Sequence, residues 1–153
     1  MKNSTARFFL WAVLMGIVSC CFSSSVLFAA DANAQGKPEI AWHDYEEGLS
    51  LAKSSGKKLY LHFYTTRCHY CKVMQSETFT DNQVIAMLNE NFIPIKVDLG
   101  ARPSLGSVYP SPGVPMSWFL ESNGDKIGSR AGYLPPDQFM EMLQFIIAEK
   151  YKQ

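Results

Sequence analysis

The sequence predicts an α/β domain, a central mixed β-sheet flanked by helices on both faces, and three observations predict it. An apolar, aromatic-rich run, Lys58 to Tyr64, leads into a Cys-x-x-Cys pair and then into apolar residues at helical spacing. A second apolar run, Phe92 to Asp98, follows the next helical stretch, so strand and helix alternate. Asn123-Gly124 then stands between two strand-like runs, a strong short-range hairpin signal, and an amphipathic helix follows.

The elements can be justified in order. Gln35 to Pro38 is a short lead-in, extending to residue 40, and Ile40-Ala41-Trp42 opens the folded part at about 41–150. Asp44 to Ser54 reads as a helix with Tyr45, Leu49 and Ala52 on one face, and Gly56 ends it. The strand to Tyr64, the cysteine turn and its helix come next, after which Thr80-Asp81 can cap a helix carrying Val84, Ile85 and Leu88. Pro94 places itself early or irregularly in the Phe92–Asp98 strand, because proline has no N–H for a ladder. Leu99 to Gly113 reads as a loop of about fifteen residues, long enough to line a site. Pro115 to Glu121 and Asp125 to Ala131 form the hairpin strands. Pro136-Asp137 starts the final helix, with Phe139, Leu143, Ile146 and Ile147 on one stripe.

Composition bounds the function. The 153 residues, 47% hydrophobic and 18% charged, supply one compact domain and leave little room for a second. Lys plus Arg and Asp plus Glu balance at 14 each, so no nucleic-acid partner is expected. Residues 1–34 read as an export signal: Lys2 and Arg7, an apolar core from Phe8 to Val18, and Ala32-Asn33-Ala34 at a cleavage-like spacing. An uncut anchor over Phe8 to Ala30 and a lipoprotein at Cys20 are the competing readings. All three place the domain outside the cytoplasm, in a periplasm-like compartment, and confine any membrane contact to the N-terminal segment.

If Cys20 and Cys21 leave with the signal, Cys68 and Cys71 are the cysteines that remain. So small a loop constrains the unfolded chain least, which favours a working disulfide over a fold staple. Cys68 falls where a strand turns into a helix, so its sulfur meets the unpaired N–H groups of the first helical turn, which favour thiolate. Cys71 lies one turn inside, within reach of it. A metal reading needs more ligands than this pair: His43, His62 and His69 are the other candidates, and no second ligand pair is visible. Copper delivery, since soft thiolates select Cu(I), and a binding module with an inert pair are the readings outside redox catalysis.

The strand into Cys68-His69-Tyr70-Cys71, the Ile95-Lys96-Val97-Asp98 strand, Gly113-Val114-Pro115, the Asn123-Gly124 hairpin, Gly132 and the last amphipathic helix together resemble the thioredoxin family over about Ala41 to Lys150. Trp42 and Gly56-Lys57-Lys58 further resemble its exported branch, which includes the terminal domain of the envelope's transmembrane disulfide reductant. The resemblance implies a thioredoxin fold, Cys68 as attacking and Cys71 as resolving cysteine, and Val114-Pro115 as the cis-proline element facing them, with Tyr70, Val114 and Pro115 on the substrate side. Three positions depart from the family pattern or carry local tuning. Arg67 stands where the family commonly has Trp; His69, as imidazolium, would stabilise the Cys68 thiolate; His62 stands where many members carry a buried acid, and is either a proton carrier or a core residue.

The activity implied is dithiol-disulfide exchange with no cofactor beyond the Cys68–Cys71 disulfide and no metal. Its direction is expected to be reduction of envelope protein disulfides, fed by an upstream membrane redox partner; disulfide donation by the same site is the alternative. A monomer is expected, since 153 residues leave no room for the dimerisation segment that isomerases carry.

Overall fold

The computed structural model describes residues 37–153. The expected export signal, with Cys20 and Cys21, and the first residues of the lead-in lie outside the described residues. Lys58–Tyr64 forms β1, buried throughout its interior, and its continuous apolar run suits a strand with neighbours on both edges and helices on both faces. Phe92–Asp98 (β2) pairs with it in parallel and Met116–Leu120 (β3) antiparallel. Lys126–Ala131 (β4) pairs antiparallel with β3, giving the order β2-β1-β3-β4. The sheet is mixed and the fold is that of thioredoxin.

Alternation along the strands divides the core in two. Leu59, Leu61 and Phe63 of β1 join Ile93, Ile95 and Val97 of β2 against Ala52 of the helix Tyr45–Ser55 (α1). Tyr60 on the opposite face joins Met74 of His69–Ser76 (α2), Val84 and Leu88 of Asn82–Asn91 (α3), and Phe139 and Leu143 of a helix over Pro136–Ile147. Ile40 is already part of this second cluster, so packing begins just before Ala41.

Local chemistry sets the boundaries. Gly56 closes α1 at φ 72°, a left-handed conformation where a side chain would be strained. The Asp81 side chain accepts hydrogen bonds from the N–H groups of Gln83 and Val84, capping α3 as its sequence predicts. Pro94 is the third residue of β2 and lies on an edge strand: its carbonyl accepts the His43 N–H at 2.9 Å on the outer side, so its missing N–H interrupts no bond to β1. The hairpin turns through Glu121–Asp125, with the Gly124 N–H donating to the Glu121 carbonyl at 2.9 Å and Gly124 at φ 93°.

Two expectations are corrected. The Leu99–Gly113 segment is not one open loop: Leu105–Val108 forms a short helix (α4), making Pro136–Ile147 α5, and Tyr109 is buried against Phe63 and Trp118. The one-turn helix has no side-chain cap and no apolar period to announce it. The helix after the cysteine turn runs from His69 to Ser76 with Cys68 at its N-cap, as the sequence places it, and Thr78–Thr80 follows as a 3-10 turn. Ile147 does not share the buried stripe: eight residues past Phe139 it is rotated about 80° from that side chain, and it is 36% exposed.

Candidate active site

The end of β1 delivers the cysteine pair. After Tyr64 the chain turns through Thr65–Arg67, with the Cys68 N–H donating to the Thr65 carbonyl at 3.2 Å, and Cys68 takes the extended conformation of an N-cap. The Cys71 backbone N–H donates to the Cys68 sulfur at 3.0 Å, one of the four donors that a helix start leaves without an internal partner. The two cysteines form a disulfide with Cα atoms 5.3 Å apart. Cys68 is half-buried and Cys71 is 5% exposed, so an incoming sulfur reaches Cys68 first.

A cavity of about 300 Å³ opens beside Cys71. Its wall includes His62 of β1, Lys96 of β2, and Lys72 and Gln75 of α2. His62 and Lys96 are register partners in the parallel pair, which sets them side by side on the face beneath α2. His62 is 1% exposed; its ring lies 4.9 Å from that of Phe79 and stacks on Tyr64, and its Nδ1 faces the Tyr60 hydroxyl at 3.5 Å. Burial, helped by the positive charge of Lys96, holds its pKa down to about 3. The imidazole is therefore neutral at any ordinary pH and is a very weak base.

At the neighbouring end of β3, Met116 pairs with Phe63, so Val114 and Pro115 lie just beyond the strand end nearest the cysteine turn. The Val114–Pro115 peptide bond is cis. The Pro115 carbonyl accepts the Gly132 N–H at 2.8 Å, whereas the backbone of Val114 makes no hydrogen bond among the described residues. Arg67, His69 and Tyr70 are exposed; the His69 and Tyr70 rings meet edge to face at 5.4 Å, and Tyr70 is 61% exposed. Arg67 forms no ion pair among the described residues.

Residues 32–151 match Thioredox_DsbH, a family described as "Protein of unknown function, DUF255". The chain belongs to this family. An uncharacterised protein of Caenorhabditis elegans is 34% identical over 115 residues, 69% of this chain but 16% of its own length, so the chain corresponds to a small part of that relative. Among solved structures, a thioredoxin from Thermus thermophilus superposes with TM-score 0.65 at 26% identity, covering 71% of this chain and 87% of that one. A DsbH oxidoreductase superposes with TM-score 0.62 at 17% identity over 72% and 85%, a likeness of fold. A thioredoxin fold with a Cys-x-x-Cys disulfide at its strand-to-helix turn is the apparatus of a thiol:disulfide oxidoreductase.

In this Thioredox_DsbH chain the structure brings Cys68, Cys71 and His62 together and places Val114 and Pro115 at the same end of the sheet. The three histidines do not converge: His62 is buried, His69 is exposed, and His43 bridges the outer edge of β2. Among the described residues no group of three or more His, Cys, Asp or Glu is placed to hold a metal ion. The Leu99–Gly113 segment contributes nothing to the wall beside Cys71. Sequence reasoning missed Lys96, Lys72 and Gln75. The signal for Lys96 was present, as a lone charge within the apolar run Phe92–Val97.

Proposed function

We propose that this chain is an extracytoplasmic thiol:disulfide oxidoreductase that reduces disulfides of envelope proteins. The observation that carries the reading is Cys68 at the N-cap of α2, its sulfur accepting the Cys71 N–H, with Cys71 shielded behind it. In the reduced protein the Cys68 thiolate attacks one sulfur of a substrate disulfide and displaces the other as a thiolate, which takes a proton from solvent. Cys71 then loses its proton and attacks the Cys68 sulfur, releasing the second substrate thiolate and leaving the Cys68–Cys71 disulfide. Two electrons pass from the cysteine pair to the substrate. An upstream dithiol partner at the membrane restores them, and no metal or organic cofactor takes part.

Supporting residues take distinct roles. Val114, with its backbone unpaired, holds an extended substrate segment beside Cys68, and exposed Tyr70 offers that segment an apolar contact. Arg67 adds a cation outside the turn, and the exposed His69 ring packs edge to face on Tyr70 beside it. His62 is assigned a different part from proton carrier: a base as weak as a pKa of about 3 implies cannot take the proton of a thiol, so it forms a neutral wall of the cavity.

The reduction potential of the protein, equilibrated in glutathione or dithiothreitol buffers and read by thiol alkylation, tests site and direction together. A potential below about −220 mV is expected of a reductant; one above about −150 mV would make the same site a disulfide donor. Absence of a reversible two-electron couple would remove the redox reading.

A further inference from the structure

The cavity beside Cys71 has a charge imbalance that the exchange chemistry does not use. Its two charged wall residues, Lys72 and Lys96, are both cations. Lys96 is half-buried, and among the described residues it forms no ion pair. Its ammonium donates to the neutral Gln75 side chain and lies 5.0 Å from the Tyr64 ring centroid and 5.7 Å from that of Trp42. Asp98, two residues along β2, shares an adjoining cavity with Lys96 but forms no ion pair with it, and its carboxylate accepts the Gly100 N–H at 2.8 Å. His62, almost fully buried, adds a ring whose Nε2 makes no hydrogen bond among the described residues. A half-buried cation with no counter-ion gains most from an anion that arrives with its own partner groups already supplied. Because Cys71 is part of the same wall, that anion would sit next to the exchanging sulfurs.

We propose that this cavity is a carboxylate-binding subsite, anchored by Lys96, that selects disulfide substrates carrying an acidic group close to the reacting cysteine. The proposal rests on the oxidoreductase reading. The carboxylate has two sources of the same chemistry: a Glu or Asp flanking the cysteine of a protein client, or the carboxylates of a small thiol such as glutathione.

The test is the rate at which the reduced full chain exchanges with disulfide-linked peptides that differ by Glu or Gln beside the cysteine, each rate divided by the same peptide's rate with dithiothreitol. The wild-type chain is expected to prefer the Glu peptide about threefold to fivefold at low salt. That ratio should fall to about one or two in Lys96→Gln, stay high in Lys96→Arg, and shrink in the wild-type chain at high salt. A ratio near one in the wild-type chain, or a preference that survives both Lys96→Gln and high salt, overturns the proposal. If Lys96→Gln does not fold, the salt response of the wild-type ratio decides. Oxidised glutathione against its ethyl ester repeats the comparison, and a preference confined to one arm assigns the source. Failure to exchange with either peptide would sink the oxidoreductase reading itself, and this inference with it, which is distinct from exchange without preference.

Discussion

The Cys71 N–H points at the Cys68 sulfur across 3.0 Å, so the helix start that positions Cys71 also supplies Cys68 with a donor. The two residues should therefore fail differently. Cys68→Ser keeps an N-cap oxygen for the same N–H, so α2 should persist while exchange is lost. Cys71→Ser should still attack but be unable to resolve, accumulating mixed disulfides. Mass spectrometry of non-reduced adducts checks both, and equal adduct yields from the two variants would remove the assigned roles.

His62 predicts a pH dependence of stability. In the unfolded chain its pKa is near 6.5 and in the folded protein about 3, so between those values the unfolded state binds the extra proton. Stability is full above pH 6.5 and is lost as pH falls, by about 2 kcal/mol at pH 5 from this group. His62→Phe should flatten the urea-unfolding free energy between pH 6.5 and 5. An unchanged slope in that window would show that the buried imidazole is not its origin.

Glu121 acts in a lower window. It lies between Lys58 at 2.8 Å and the Tyr151 hydroxyl at 2.6 Å, tying β1 and the β3–β4 turn to the segment after α5. The Lys58 hydrogen bond, then that of Tyr151, holds its pKa at about 2. Its contribution is present above pH 4.5 and lost as pH falls towards 2. Glu121→Gln should cost about 1–2 kcal/mol at pH 7, since the pair is mostly shielded from water, and should be nearly silent at pH 2. Urea titrations at the two pH values give the comparison.

Gly48 lets α1 lie directly on β2. A methyl group there would overlap Cγ1 and Cδ1 of Ile95, which is fully buried and has no room to retreat. Ala gains about 1 kcal/mol of helix propensity over Gly, but overpacking costs about 1–3 kcal/mol. Gly48→Ala is therefore expected to lower the chemical-unfolding midpoint with an unchanged m-value; a raised midpoint would mean that propensity outweighs the clash.

Much of this protein was legible along the chain because the relevant physics is local. The run Lys58–Tyr64, the Asp81 cap, Gly56 and the Asn123-Gly124 turn each act on residues within a few positions, and each element lies where those signals put it. Cys68 and Cys71 were legible for the same reason: four consecutive residues at a strand-to-helix turn define both sulfurs. The short helix Leu105–Val108 was not, since Tyr109 is held there by Phe63, which is remote in sequence, and by Trp118 on the next strand.

By itself the sequence determined most of the elements, their order and the cysteine pair, because propensity, capping and spacing are properties of neighbours. Only the tertiary structure decided the surroundings of that pair. The parallel register of β1 and β2 sets His62 against Lys96, α2 closes over both, and burial then makes one ring neutral and leaves one ammonium without a carboxylate. Those effects depend on dielectric and distance across strands, which no short stretch of sequence contains.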